Sequence, residues 1–242
     1  MHRIAPAVAA LALALVAPAS SAAATSSCPT PPKLDPSNFP SQPKVDNPYF
    51  PLTPGKTYVY RGKEDDHPTE DRFAVTSDTK VVDGVTTRVV RDQVFTNNVL
   101  TEDTLDYFAQ DKQGTVWYLG EDTKELDKNG NVVSTEGTWQ SGVQGGRAGT
   151  FMERYAPPDS PRVGDTYKQE DAKAAQDCAE ILSTSASVKV PFGSFNDALQ
   201  TKEFSLLEPG VVDNKWYAKG VGEVREQTVK GGSDFLELVS VK

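Results

Sequence analysis

Apolar and polar residues alternate along much of the chain from residue 56 onward. The segments 56–61 (KTYVYR) and 72–76 (RFAVT) show the pattern most plainly. Further runs rich in Val, Thr, Tyr, Phe and Trp occupy residues 85–95, 104–109, 115–119, 179–190, 199–207, 211–218, 221–229 and 235–241. Successive side chains of a strand point to opposite faces, and these residue types suit a pleated surface, so each run predicts a β-strand.

Glycine-containing turn signals separate many of these runs. They are Asp83-Gly84, Gln113-Gly114, Asn129-Gly130 and Gly231-Gly232. Tight turns between evenly spaced short strands favour antiparallel neighbours. We therefore predict an all-β fold, an antiparallel meander that forms a curved sheet, a half-barrel or a barrel. Residues 171–182, which are rich in alanine, are either one short helix or the lead into the strand that ends at Val190.

The first 24 residues have the character of a secretory signal. A short polar start, His2-Arg3, precedes an apolar stretch over residues 4–16, and residues 22–24 are small alanines suited to cleavage. The apolar stretch is shorter than the roughly 20 residues that span a bilayer. We therefore predict that residues 1–24 are a cleaved signal peptide, that the protein is secreted, and that no transmembrane segment is present.

Three further segments follow the signal. Residues 25–54 contain nine prolines and predict an extended arm, loose over 25–44 and docked over 45–54, where aromatic residues cluster. Residues 55–242 predict a single antiparallel β domain. Within that domain, residues 135–163 form a long glycine-rich segment that carries Trp139 and Phe151. We predict a loop there, either a lid over an opening or a packed loop whose aromatic rings plug one end of the sheet.

Charge and composition exclude several functional classes. A net charge of −9 disfavours a nucleic-acid-binding protein, because neutralising phosphates requires an excess of Lys and Arg. Two cysteines cannot form a four-thiolate zinc site, and two histidines leave little material for histidine-based chemistry. The segment 127–131 (DKNGN) lacks the glycine and glutamate positions of an EF-hand and is better interpreted as a hairpin turn. We predict no metal and no cofactor.

The two cysteines allow more than one interpretation. In an oxidising compartment, Cys28 and Cys178 would form a disulfide. The alternatives are a lipidated Cys28, which would make the chain a cell-surface lipoprotein, and two free thiols. Residues 25–27 lack the aliphatic residue that usually precedes a lipidated cysteine, so the disulfide is the favoured interpretation.

Several longer motifs resemble a known family. They are residues 47–60 (NPYFPLTPGKTYVY), 102–111 (EDTLDYFAQD), 117–122 (WYLGED), 207–212 (LEPGVV) and 216–223 (WYAKGVGE). Together they resemble a family of secreted, functionally uncharacterised bacterial proteins that is common in actinobacteria, and the resemblance implies no particular activity. More distantly, the pattern of strands and aromatic residues is similar to the lipoprotein-carrier half-barrels of the LolA and LppX type. That likeness implies a curved sheet that shelters acyl chains.

Aromatic residues are the candidate ligand-binding groups. Two Trp-Tyr pairs each place one ring on either face of the sheet, because adjacent strand residues point in opposite directions. If one face lines a cavity, aromatic rings would form an apolar wall with few polar anchors, as a lipid pocket requires. The alternative is an ordinary filled core. The candidates are Tyr58, Tyr60, Tyr107, Phe108, Trp117, Tyr118, Trp139, Phe151, Trp216 and Tyr217.

Catalytic motifs are missing from the sequence. It contains no G-x-S-x-G elbow, phosphate-binding loop, dinucleotide fingerprint or H-E-x-x-H segment. His67 lies in a polar run that predicts a hairpin tip. Clustered acids, which include Asp103, Asp106, Glu121 and Asp122, could provide a cross-strand carboxylate pair for glycan hydrolysis, although solvated charge is the ordinary interpretation. No catalytic residue is assigned.

Three hypotheses follow from the sequence. The leading one is a secreted, noncatalytic β-protein that binds a lipid or another apolar or amphiphilic molecule in the concavity of a curved sheet. The second is a small carboxylate-dependent hydrolase of an extracellular or cell-wall polymer. The third is a structural or adhesive module with a filled core. The sequence identifies no protein partner.

Overall fold

The computed structural model describes residues 28–242. The predicted signal peptide, residues 1–24, lies outside the described residues. A 3₁₀ helix covers Pro36–Asn38, and the rest of the regular structure is β-strand. The strands are β1 (Val45–Asn47), β2 (Phe50–Leu52), β3 (Thr57–Glu64), β4 (His67–Val82), β5 (Val85–Thr96), β6 (Val99–Gln110), β7 (Val116–Asp122), β8 (Glu125–Leu126), β9 (Val132–Ser134), β10 (Trp139–Gln140), β11 (Arg147–Met152), β12 (Thr166–Lys168), β13 (Glu170–Asp171), β14 (Asp177–Val190), β15 (Gly193–Ser205), β16 (Val212–Ala218), β17 (Gly222–Lys230) and β18 (Phe235–Val241).

The predicted antiparallel meander is confirmed. Strands β14 to β18 are hydrogen-bonded in chain order, and so are β3 to β7. Strand β18 pairs with β3, which joins the last strand of the chain to the start of the sheet. The result is one antiparallel sheet that curves until it is nearly closed into a barrel.

One short chain segment lies across the seam of this barrel. Strand β12 pairs with β14, whereas β13, which follows after a single residue, pairs with β11 on the other side. Between them, the amide of Gln169 donates to the carbonyl of Asp177 at 2.7 Å. At Gly149 of β11, a Cβ atom would lie 2.3 Å from the carbonyl oxygen of Gln169. Glycine therefore allows β11 to approach the segment that seals the seam.

Two segments are decided by the structure. Of the two alternatives for residues 171–182, the lead into the strand that ends at Val190 is correct and no helix forms, because Ala179 and Ile181 are buried in β14 and tertiary packing outweighs the helix propensity of alanine. Residues 135–163, predicted as a loop, contain β10 and β11. Strand β11 pairs with both β7 and β13, and this pairing makes it part of the barrel wall.

The described part of the N-terminal arm, residues 28–54, is attached to the barrel at several points. Cys28 and Cys178 form the predicted disulfide. Phe39 packs edge-to-face on Trp117, with ring centroids 5.9 Å apart, so the expectation that residues 25–44 are loose does not hold for the part that the structure describes. Buried apolar area and the disulfide together hold this proline-rich segment against the domain.

The β1–β2 hairpin crosses one end of the barrel. On one side, the amides of Asp46 and Asn47 donate to the side-chain carbonyl of Gln110, each at 2.8 Å. On the other side, the amide of Gly220 donates to the carbonyl of Pro48 at 2.7 Å. The hairpin projects Phe50 into the barrel, where it contacts the core and closes this end.

Candidate ligand-binding interior of the barrel

Aromatic rings fill the end of the interior that the β1–β2 hairpin closes. Phe108 stacks on Tyr118 at 4.6 Å and meets Phe151 edge-to-face at 4.9 Å. Phe50 lies 4.4 Å from Phe151, and Trp139 lies edge-to-face on Tyr118 at 5.7 Å. Seven of the predicted ligand-binding residues belong to this interior cluster: Tyr58, Tyr60, Phe108, Tyr118, Trp139, Phe151 and Tyr217.

The other three predicted residues are not members of this buried cluster. Tyr107 and Trp117 belong to a second, smaller cluster together with Phe39 of the arm. Trp216 is partly buried and packs against the interior cluster, and the guanidinium of Arg225 lies over its ring at 5.4 Å. Each Trp-Tyr pair thus sends its tyrosine into the interior cluster, as the strand period predicts. Whether any of these rings touches a ligand stays a prediction.

A carboxyl pair lies next to the aromatic rings. Asp106 on β6 and Glu121 on β7 are opposite one another in the strand register, and each is 2% exposed. The Tyr118 hydroxyl donates to Oδ1 of Asp106 at 2.5 Å and lies 3.1 Å from Oε2 of Glu121. One hydroxyl carries one proton, so a second hydrogen bond there requires a proton on Glu121.

Burial shifts the titration of this pair. Loss of solvent, together with the charge of Asp92, raises the pKa of Asp106 to about 7. Burial and the charge of Asp106 raise the pKa of Glu121 well above its ordinary value. Two carboxyl groups removed from water and close together oppose each other's ionisation. The pair therefore holds a proton near neutral pH.

A second polar cluster surrounds Lys215 on β16. Its ammonium lies 3.4 Å from Glu203, 3.6 Å from Glu226 and 3.9 Å from Glu223. Tyr217 and Thr201 donate their hydroxyl hydrogen bonds to Oε1 of Glu203 at 2.9 and 2.8 Å. Lys215 is the single Lys or Arg among the buried residues of the described chain.

This cluster carries an excess of acid over base. The three glutamates hold the pKa of Lys215 well above its usual range despite its burial. Burial raises the pKa of Glu223 to about 7, and burial with the charge of Glu226 raises that of Asp213 to about 6. A cavity of about 340 Å³ lies beside the cluster. It is lined by Asp65, Asp66, Asp177, Glu203, Phe204, Ser205, Glu208, Val211, Asp213, Lys215, Glu226, Thr228, Gly231, Gly232, Ser233 and Asp234.

A larger cavity of about 660 Å³ adjoins the glycine-rich segment. Trp139 is 6% exposed and forms part of its wall, and its indole Nε1 has no hydrogen-bond partner among the described residues. Val143 and Leu207, which are 53% and 48% exposed, are the most exposed apolar groups of the lining. The lining residues are Glu136, Thr138, Trp139, Gln140, Val143, Gln144, Gly146, Ala172, Lys173, Ala174 and Leu207.

The four acids considered for hydrolysis separate into two environments. Asp106 and Glu121 come together on Tyr118, which gives the cross-strand pair that the sequence allowed. Asp103 instead forms an ion pair with Arg91, at 2.7 Å, and stays partly exposed. Asp122 lies opposite Leu105, outside the Tyr118 pair. Among residues 28–242, no group of His, Cys, Asp and Glu side chains has the arrangement of a metal site.

The polar interior is what sequence reasoning missed. Lys215 and Glu203 lie in ordinary alternating strands, where a charge is expected to point to solvent. One signal was available, because Lys215 and Tyr217 are two residues apart and must share a face. An interior position for the tyrosine therefore implied an interior position for the lysine.

Two solved structures are similar to this chain in fold. A crystal structure from Bacteroides fragilis NCTC 9343, of a protein named as exported and YmcC-like in fold, is 13% identical over 81% of this chain and 99% of that chain, with a TM-score of 0.48. A crystal structure of a protein named as a lipoprotein, from Parabacteroides distasonis ATCC 8503, is 14% identical over the same shares, with a TM-score of 0.46. A scan against family models and a search of curated proteins found no match. Among the described residues, no helix has the length and apolar character needed to cross a membrane.

Proposed function

We propose that this chain is a noncatalytic binding protein that takes an amphiphilic molecule in the cavity beside the glycine-rich segment. The observation that carries the proposal is the 660 Å³ cavity with Trp139 in its wall. That volume lies within the roughly 300–1,000 Å³ of typical small-molecule sites. Its lining combines apolar groups with a few polar ones, as sites for amphiphiles do.

The exposed apolar groups of the lining support this proposal. Val143 and Leu207 are about half exposed although both border the same cavity. Apolar area left in water is unfavourable by about 25 cal/mol per Å², and a ligand that covers these groups recovers that free energy. An apolar chain between Val143 and Leu207, with its polar end toward solvent or the interior, would bind by this mechanism.

Calorimetry with dodecyl maltoside below its micellar concentration tests the proposal. We expect saturable binding to the wild-type protein, and binding at least about tenfold weaker in Trp139→Leu and in Leu207→Glu. Val229→Glu is the matched control for Leu207→Glu, since Val229 is 50% exposed and does not line the cavity. Mass spectrometry of an organic extract of the purified protein would identify any lipid that co-purifies.

Two results would overturn the proposal. One is the absence of binding by dodecyl maltoside to the folded wild-type protein, which would favour the structural or adhesive module. The other is equal binding by the wild type, Trp139→Leu and Leu207→Glu, which would place the ligand elsewhere on the chain.

We also propose that the protein acts outside the cytoplasm as one β domain with an attached arm. The Cys28–Cys178 disulfide supports this location, because such bonds persist in oxidising compartments. Intact-mass measurement of the secreted protein checks it. We expect residues 1–24 to be absent and the two cysteines to be oxidised, whereas a diacylglycerol adduct on Cys28 would show a lipoprotein instead.

A further inference from the structure

The cavity of the proposed function has an uncharged, buried floor. Trp139 on β10 and Ala172, directly after β13, are 6% and 8% exposed, and Gly146 of the lining is buried as well. We name these three residues the floor. An alkyl chain in contact with the Trp139 ring and the Ala172 methyl group would remove apolar surface from water, which favours burial of the chain there.

Both charged residues of the lining belong to its exposed part. Glu136 lies between β9 and β10, and Lys173 lies between β13 and β14. Each is exposed, as are Val143 and Leu207 of the lining. We name these four residues the mouth. The two charges of the cavity are therefore at the mouth, and a charged group of a ligand would find its partners there and not on the floor.

The two charges at the mouth have no partner of opposite charge within the described chain. Glu136 and Lys173 form no ion pair with each other, and neither forms one with any other residue in the range 28–242. The short turn that carries Lys173 is closed by a hydrogen bond from the Ala172 amide to the Ala175 carbonyl at 2.8 Å. The mouth thus presents one carboxylate and one ammonium group that are separate from each other.

We propose that the mouth binds a zwitterionic head group, and that the amphiphile of the proposed function is of the phosphocholine type. The cation of the head group pairs with Glu136, its anion pairs with Lys173, and the alkyl chain lies on the floor against Trp139. The position of the chain rests on the proposed function, whereas the class of the head group and its place at the mouth are new. The chain points inward and the charges point toward solvent.

Other kinds of head group match only part of the mouth. An anion is attracted by Lys173 but repelled by Glu136 and by a chain whose net charge is −9. A cation is attracted by Glu136 but repelled by Lys173. An uncharged sugar forms an ion pair with neither residue. Only a head group with one charge of each sign gives both residues an opposite partner at the same time.

Four probes of equal chain length test the inference by calorimetry below their micellar concentrations. Dodecylphosphocholine is zwitterionic, dodecanoate is an anion, dodecyltrimethylammonium is a cation and dodecyl maltoside is uncharged. An exposed ion pair strengthens binding by up to about fivefold, so two pairs predict roughly tenfold tighter binding of dodecylphosphocholine than of the other three probes. We expect this preference to shrink at high salt, because ions screen exposed charges.

Amide variants of the mouth identify which residue pairs with which charge. Glu136→Gln removes the repulsion of an anion, so it should bind dodecanoate as tightly as dodecylphosphocholine. Lys173→Gln removes the repulsion of a cation, so it should bind dodecyltrimethylammonium as tightly as dodecylphosphocholine. A loss of structure would not change the preference in these two opposite directions. Asp78→Asn and Lys189→Gln are the matched controls, because both residues are exposed and outside the lining, and they should keep the wild-type preference.

Phosphocholine without a chain separates the head group from the amphiphile. It should bind at least about tenfold more weakly than dodecylphosphocholine, because only the chain covers the apolar area of the floor. Affinity equal to that of dodecylphosphocholine would support the charged mouth and overturn the amphiphile cavity.

The remaining outcomes separate this inference from the proposed function. Equal affinity of the wild-type protein for dodecylphosphocholine and dodecyl maltoside overturns the zwitterion site and leaves the amphiphile cavity intact. A preference for dodecylphosphocholine that survives in both Glu136→Gln and Lys173→Gln also overturns the zwitterion site, and so does tightest binding of dodecanoate or dodecyltrimethylammonium. Binding of none of the four dodecyl probes overturns both proposals.

Discussion

Replacing Lys215 by methionine removes the cation from the centre of three buried glutamates. The ammonium lies 3.4, 3.6 and 3.9 Å from Glu203, Glu226 and Glu223, and the lysine side chain is 4% exposed. At an effective dielectric constant of about 20, each such pair is worth about 4 kcal/mol before the cost of removing the charges from water. Methionine keeps the length and apolar stem of the side chain, so packing changes little.

We expect Lys215→Met to lower the free energy of unfolding by about 3–5 kcal/mol at pH 7.5, the usual cost of leaving buried charge without its partner. Protonation of the glutamates removes their negative charge and so reduces this loss of stability. The loss should therefore shrink at pH 5, where carboxyl groups with raised pKa values, such as Glu223, are already protonated.

Urea denaturation followed by circular dichroism measures both quantities. Lys202→Met is the matched control, because Lys202 pairs with Glu180 at 3.0 Å while 29% exposed. A partly exposed pair of this kind contributes about 0–1 kcal/mol. The idea that a buried cation offsets the interior acids is refuted by either of two results. One is a loss of unfolding free energy in Lys215→Met no larger than that in Lys202→Met. The other is a loss in Lys215→Met that is the same at pH 5 and pH 7.5.

Three other predictions concern the interior acids, the disulfide and the seam. Because burial raises the pKa of Asp106 to about 7, the native state holds more protons than the unfolded state between about pH 4 and 7. The free energy of unfolding should therefore fall as pH rises through that window, less steeply in Asp106→Asn, and an identical slope would contradict this. Cys28 and Cys178 are 150 residues apart, and replacing both with serine should lower the free energy of unfolding by about 2–5 kcal/mol and expose the arm to proteases. An unchanged midpoint of urea denaturation would contradict this prediction. In Gly149→Ala the new Cβ would lie 2.3 Å from the carbonyl oxygen of Gln169, so we expect the free energy of unfolding to fall by about 1–3 kcal/mol. Thermal melts measure this loss. Gly193→Ala is its control, with a nearest contact of 3.4 Å and no positive φ, and equal losses would show that the seam is not tightly packed.

The strands and their faces were accessible from the sequence, because both depend on local alternation. The segment around Tyr58 and Tyr60 predicted β3, and the Trp117-Tyr118 pair predicted rings on opposite faces. The two cysteines predicted their own pairing, since the sequence offers each no other partner. These features require only the period of a strand or the count of a residue type.

The buried carboxyl groups of the interior and the seam were not accessible in that way. Asp106, Glu121 and Asp92 come from three strands, and only the register of β5, β6 and β7 places them together. The sequence shows that Asp106 shares a face with Phe108, but not whether that face is inside. Gln169 lies between two short strands whose partners are far apart in the chain, so no local pattern marks it as the closing point.

The sequence by itself determined an antiparallel β-protein, the places of most of its strands along the chain, and its disulfide. Tertiary structure alone decided that the curved sheet nearly closes, which of its two faces is the inside, and which charges are buried there. The physical reason is that alternation is a property of neighbouring residues, whereas closure and burial depend on contacts between strands distant in the chain. The interior that those contacts create is acidic, with Asp92, Asp106 and Glu121 all buried in it.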